Sequence, residues 1–225
     1  MEFPNSLYTQ YAGNYCTKIG QDGRGIVKYN FNKNGFINNI DYDVKEDKAI
    51  CSFGSAITSG IGLPWEQSYS FQTAKLLGED YKSYNFSQGC MFVDNQEVLN
   101  TVKKVKSIPN FKPYAYVIQF IGLDRVYHPS KEIGTLSIDS KKNLENFINI
   151  FKELEVLLKN DKWVFFGCDG SDHNDIPEYI TRHKNCLIWN PRFIDNLLRD
   201  LPGPKWHKMI SLGIKNKIAD LYSIK

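Results

Sequence analysis

Eight consecutive residues, Tyr114-Ala-Tyr-Val-Ile-Gln-Phe-Ile121, form the most β-prone run in the chain, and Gly122 ends it. A run this apolar and without strict alternation suits a strand covered on both faces, which in a water-soluble domain means a parallel strand flanked by helices. The surrounding sequence agrees. Ala49-Ile-Cys-Ser-Phe53 is a short apolar run that breaks into Gly54, and a helical pattern follows over residues 64–77 with Gly78 as its C-cap. Tyr84-Asn-Phe-Ser87 reads as a second strand ahead of Gly89, after which Asp94 and Glu97 stand at capping-box spacing before Val98, Leu99, Val102 and Val105. An amphipathic helix is expected over residues 140–159, with Leu144, Phe147, Ile148, Phe151, Leu154, Leu157 and Leu158 on one stripe. Lys162-Trp-Val-Phe-Phe-Gly167 and Asn185-Cys-Leu-Ile-Trp189 supply two further strands, and residues 204–222 a terminal helix. Strands that alternate with helices predict an α/β three-layer sandwich: a flavodoxin-like, parallel five-stranded sheet with helices on both faces. The strands are expected after residues 48, 82, 114, 162 and 185.

The first 45 residues differ. They are rich in Asn, Gly, Tyr and Asp, and carry one alternating piece, Ile26-Val-Lys-Tyr-Asn-Phe-Asn32, that leads to a turn signal at Asn34-Gly35. We read residues 1–45 as a short β extension of one or two strands, and residues 46–225 as the α/β domain. A chain of 225 residues is long enough to fold as one domain without disulfide, metal or partner. The net charge of +3, from 28 basic and 25 acidic residues mixed along the chain, gives no field that would select nucleic acid or an anionic membrane. The five cysteines are scattered without a C-x-x-C pair, so neither a zinc site nor a disulfide framework is expected, and reduced thiols fit a cytoplasmic location. The start of the chain has no secretory pattern, and the longest apolar stretch is too short to span a bilayer.

In an open parallel sheet ligands bind beyond the carboxyl ends of the strands, which directs attention to the segments that follow them. The first reads Gly54-Ser-Ala-Ile-Thr-Ser-Gly60, and its glycines and Thr58 resemble the G-D-S-x-T-x-G block of the SGNH, or GDSL, hydrolases. Tyr84-Asn-Phe-Ser-Gln-Gly89 resembles that family's second block, Gly122-Leu-Asp-Arg125 its third, G-x-N-D, and Asp200-Leu-Pro-Gly-Pro-Lys-Trp-His207 its last, D-x-x-H-P-G. The blocks fall in family order over residues 49–218. The resemblance implies acyl-ester hydrolysis, with an O-acyl group on a carbohydrate as the expected substrate, a Ser nucleophile, a His base held by Asp, and an oxyanion site formed by backbone N–H groups and the third-block Asn. It implies no cofactor and no metal.

Against those roles the sequence departs at three positions. Ala56 stands where the nucleophile belongs, Asp124 replaces the Asn, and the last block reads as a shortened string that keeps Asp200 but has lost its His. Ala56 has two readings, an engineered Ser-to-Ala change or natural loss of catalysis, and the altered last block favours the second. Gly89 would contribute an oxyanion N–H, and His207, seven residues after Asp200, is a possible replacement base or else a helix-start residue packed beside Trp206. Ser55 fills the Asp position of the first block, whose side chain faces away from the Ser, and so reads as a turn hydroxyl or a ligand contact in preference to a displaced nucleophile. Trp65, Tyr69 and Tyr127 could stack on a sugar or pack in the core, and Arg125 could clamp an anion or form an internal ion pair. Asp169-Gly-Ser-Asp-His173-Asn-Asp175 reads as a turn that could also lend a base or bind a hard cation. Gly60-Ile-Gly62 begins like a dinucleotide fingerprint, but Trp65 takes the third glycine's place, which leaves a nucleotide-binding function the weakest of three readings. The expected partner is a small-molecule or carbohydrate ester, bound by an esterase if residue 56 is natively Ser and by a non-catalytic relative if it is Ala.

Overall fold

A computed structural model of the chain describes residues 3–4, 15–19, 26–87, 93–122, 125–126, 135–136, 140–168, 176–189 and 202–222. Five parallel strands, β3 (Ala49–Phe53), β4 (Lys82–Asn85), β5 (Ala115–Ile121), β8 (Trp163–Cys168) and β9 (Cys186–Trp189), form one sheet in the order β4-β3-β5-β8-β9. Counting only these five, the spatial order is 2-1-3-4-5, the flavodoxin-like arrangement expected from the sequence. Every residue of β3 and β5 is buried, which is the burial that continuous apolar runs require.

The pleat divides the side chains between two helical layers. Cys51, Phe53, Tyr116, Ile118, Phe120 and Phe165 point to one face, where α3 (Asn95–Lys106) and α4 (Ser140–Leu157) cover them with Val98, Leu99, Val102, Phe147, Phe151 and Leu154. Ile50, Ala115, Val117, Val164 and Phe166 point to the other, under α2 (Tyr69–Leu77) and α6 (Pro204–Tyr222), which bring Tyr69, Ala74, Trp206, Ile210, Ile214 and Ile218. Asp94 caps α3 by accepting from the Glu97 N–H at 2.8 Å, as the capping-box spacing predicts. The helix expected from residue 64 begins later. Trp65–Gln67 forms one 3-10 turn and α2 starts after Ser68, because the Ser68 hydroxyl accepts from the Phe71 N–H and so sets the N-cap there. Small pieces went unforeseen, among them the one-turn helix α1 (Ala56–Ser59) and an antiparallel pair, β6 (Arg125–Val126) with β7 (Thr135–Leu136). A short α5 (Glu178–Thr181) precedes β9.

The extension contains an antiparallel hairpin of β1 (Tyr15–Ile19) and β2 (Ile26–Asn30), separate from the main sheet. The turn at Asn34-Gly35 closes a Phe31–Ile37 bridge, and Gly35 takes the positive φ of 78° that the turn demands. Beyond it the chain runs along β4 and shields this sheet edge through side chains: the Asn38 amide donates to the Ser83 carbonyl at 2.9 Å, the Asn85 amide to the Ile37 carbonyl at 3.2 Å, and the Tyr42 hydroxyl to the Asn85 carbonyl. Phe3, Phe36 and Tyr42 share the core that α3 and α4 cover, and full burial holds the Tyr42 phenol well above its usual pKa. No described helix is long and apolar enough to cross a membrane.

Candidate functional site

The strand order reverses at β3, since β4 lies on one side of it and β5 on the other, and this switch point is where a doubly wound sheet opens a crevice at its carboxyl edge. The segments leaving β3 and β5 are Gly54–Gly60 and Gly122 onward, two of those singled out from the sequence. Gly54 makes the abrupt exit. Its φ is +156°, and a Cβ there would lie 2.2 Å from Thr58 Oγ1 and 2.7 Å from Gln119 Oε1, so glycine is required by conformation and by space. Ser55 then precedes α1, whose first residue is Ala56, and Gly60 ends the helix in the left-handed region with φ 68°. Strand, tight turn and helix follow one another in five residues, and Ala56 sits at their apex with 7% of its surface exposed.

Beneath Ala56 lies a buried polar seam. Gln119 Oε1 accepts from Thr58 Oγ1 at 2.5 Å, from the Ser55 N–H at 3.3 Å and from the Ser55 hydroxyl at 3.4 Å, while Gln119 Nε2 stands 3.2 Å from the same hydroxyl. Thr58 Oγ1 in turn accepts from the Tyr69 hydroxyl at 2.8 Å, and the Ser70 hydroxyl donates to the Thr58 carbonyl. On the β4 side, the Ser59 and Ser87 hydroxyls are 2.6 Å apart, and Ser87 Oγ also donates to Asn85 Oδ1. Unpaired, these groups would each cost about 1–3 kcal/mol in a dry interior, and paired they fix the turn's shape. Ser55 is therefore part of the turn's support. Gln119, Asn85, Ser59 and Ser87 were missed as site residues. One signal was available, the lone polar side chain in the middle of the β5 run.

His207 lies in the first turn of α6 and is 1% exposed. Its Nδ1 accepts the Tyr69 N–H at 3.0 Å, so the imidazole caps the start of α2, and its proton sits on Nε2. The ring stacks on Tyr69 at a centroid distance of 5.8 Å and meets Trp206 edge-on at 5.2 Å. Burial alone lowers its pKa to about 3, so the ring is neutral at ordinary pH. Trp65 turns away from the carboxyl edge and packs with Val27, Tyr29, Phe31 and Ile37, pinning the hairpin to the domain. Tyr69 is a core residue. Arg125 is described only as the backbone of β6. Gly89, Asp124, Tyr127, Asp200 and the segment holding His173 lie outside the described residues.

No protein-family model matches the chain, and no curated protein matches it. Among solved structures it is similar to a carbohydrate esterase family 2 enzyme with a carbohydrate-binding domain from Corynascus thermopiles (Myceliophthora fergusii), with a TM-score of 0.51 and 16% identity. The match covers 82% of this chain and 69% of that one. It is also similar to an acetyl xylan esterase from the rumen bacterium Butyrivibrio proteoclasticus, with a TM-score of 0.52 and 15% identity over 82% of this chain and 66% of the other. The chain thus spans about two thirds of each esterase's length. At these identities the likeness concerns the fold alone, an α/β architecture that the chain shares with both esterases.

Proposed function

We propose that this chain is a non-catalytic member of the SGNH-hydrolase-like proteins, one that keeps the crevice at the β3/β5 switch point as a binding site for an ester-bearing small molecule or carbohydrate. The observation that carries this reading is Ala56: a methyl group at the apex of a turn whose glycines and buried hydrogen bonds are otherwise complete. A methyl group has no lone pair with which to attack a carbonyl.

The position of His207 supports the same conclusion. A triad imidazole donates its Nδ1–H to a carboxylate and accepts the nucleophile's proton at Nε2. Here Nδ1 is an acceptor occupied by the Tyr69 N–H, the opposite tautomer, and a pKa of about 3 makes the ring a poor base. The last block can also be counted without a gap. From Asp200, the H-P step falls on Gly203-Pro204, so in this reading the block keeps its length and its His has become Gly. Nucleophile and base would then both be lost by substitution, which a single engineered change does not produce. The esterase neighbours favour an acyl ester or carbohydrate as ligand over a nucleotide.

The test is hydrolysis of a short-chain aryl ester by the chain as it stands, by Ala56→Ser, by Ala56→Ser with His207→Ala, and by Ala56→Ser with Gly203→His. The first three are expected at the uncatalysed background, and the fourth at about 10²-fold or more above it, the usual contribution of a positioned general base. Strong turnover by Ala56→Ser that disappears on adding His207→Ala would overturn this reading in favour of a serine esterase with His207 as its base.

A further inference from the structure

A cavity of about 210 Å³ lies on the flank of the molecule between the extension, α2 and the start of β4. Asn38, Asn39, Trp65, Phe71, Tyr81 and Ser83 contribute to its wall. Because it includes the turn from Gly78 into β4, it sits at the amino end of that strand. Ala56 follows the carboxyl end of the parallel neighbour β3, so the two sites belong to opposite ends of the sheet.

One buried group here is unpaired among the described residues. Ser83 pairs in register with Ile50, which faces α2, so the Ser83 side chain faces α2 and the cavity too. Its carbonyl receives the Asn38 amide, but its hydroxyl, on a residue only 6% exposed, has no hydrogen-bond partner among the described residues. A buried hydroxyl left unpaired costs about 1–3 kcal/mol, and in native proteins such a group usually awaits a water or a ligand. Asn39 also lines the cavity. Its Oδ1 accepts from the Asn30 amide at 3.1 Å and its Nδ2 donates to Glu66 at 3.2 Å, which fixes the amide plane and uses one of its two N–H groups.

We propose that this cavity binds a single neutral sugar ring, a site distinct from the crevice at Ala56 and independent of the reading given for it. The wall combines aromatic surface with polar groups that both donate and accept, as a pyranose combines C–H faces with hydroxyls. Its charges largely cancel: Lys75 and Glu79 pair at 2.7 Å, which leaves the exposed Lys82 amine at the mouth as a further donor to a ring hydroxyl. The volume suits one six-membered ring and is too small for a nucleotide.

The test is a titration of the full chain, followed by amide and indole NMR shifts, with methyl β-D-glucopyranoside, methyl β-D-xylopyranoside and, as a flat nitrogenous competitor, adenosine. At least one glycoside is expected to saturate shifts of the Trp65 indole and Asn39 side-chain N–H signals with a millimolar Kd. Ser83→Ala and Asn39→Ala should each weaken that binding about tenfold, the worth of one hydrogen bond. Ser83→Ala removes an unpaired hydroxyl and leaves the fold at least as stable, so its loss of binding cannot be attributed to unfolding. The proposal is overturned by absence of glycoside shifts at about ten times the expected Kd, by shifts undiminished in both variants, by adenosine binding in place of the sugars, or by shifts confined to the Ala56 loop. That last result would leave the proposed function standing while removing this site.

Discussion

The two faces of the central sheet are covered by the same kind of layer, a pair of helices, yet they bury different chemistry. Under α3 and α4 the contact is aromatic and aliphatic: Phe120 alone meets Phe147, Phe151 and Phe165 at centroid distances of 5.1, 6.2 and 5.4 Å. Under α2 and α6 the interior also holds Gln119, Thr58, Tyr69, Ser70 and His207, joined by hydrogen bonds from the central strand out to the last helix. A hydrocarbon interface gains stability from area and tolerates many sequences, whereas a polar interface is only worth having where it fixes a geometry. The polar seam lies at the carboxyl end, beneath Ala56. Its hydrogen bonds hold the Gly54–Gly60 turn in one shape.

The aromatic face should be the more costly to break. Phe120→Ala removes a fully buried ring from the junction of β5, β8 and α4, and a loss of about 3–5 kcal/mol is expected in urea unfolding. A loss under about 1 kcal/mol would mean that this face is loosely packed and would undo the contrast.

The polar face is set apart next by its response to acid. His207 has a folded pKa of about 3 against an ordinary 6.5, so below pH 6.5 the unfolded chain binds a proton that the folded chain refuses. Stability contributed by the neutral ring is thus complete above pH 6.5 and is lost as pH falls toward 3. The slope approaches about 1.4 kcal/mol per unit, or about 2 kcal/mol between pH 7 and pH 5. His183, also held below its usual pKa by burial, adds to the same trend, though Glu155 at 3.3 Å opposes it. His207→Asn keeps an acceptor for the Tyr69 N–H and removes the titration, so its denaturation midpoint should vary less between those pH values. An unchanged slope would show that His207 is solvated and free to take a proton.

Gln119→Leu comes third. It fits the β5 run better by hydrophobicity, yet it strips partners from the Ser55 N–H and the Thr58 hydroxyl, and a net loss of about 1–2 kcal/mol is expected by calorimetry. Gain of stability would mean that the seam is dispensable to the fold.

This contrast also explains what could be read in advance. The sheet order, the two helical layers and the α3 cap follow from hydrophobic run length, glycine exits and one capping box, all local signals, and each reappears in the structure. The first block was legible because Gly54 and Gly60 are dictated by backbone conformation. The partners of that turn were not, since Gln119, Asn85 and Ser87 come from other strands and meet it only through pairing across the sheet. His207 shows the same limit from the other side. Its spacing from Asp200 suggested a base, while its contact with the Tyr69 N–H, 138 residues earlier, depends on how α6 lies against α2. Trp65 was read toward the carboxyl edge because it follows β3, but the hairpin that claims it precedes β3.

The smallest effect is the most informative about the crevice. Ala56→Ser adds one hydroxyl to a nearly buried apex, and without an imidazole to accept its proton that group is partly desolvated, a cost of about 0.5–1 kcal/mol. Gly203→His adds a ring just before α6, also at some cost. If the two positions face each other across the crevice, the double variant should be more stable than the sum of the singles by about 0.5 kcal/mol or more, because hydroxyl and ring then pair. Additivity within about 0.3 kcal/mol would mean that no imidazole at residue 203 reaches residue 56. On the proposed non-catalytic reading, restoring residues 56 and 203 would then not be enough to return the crevice to catalysis.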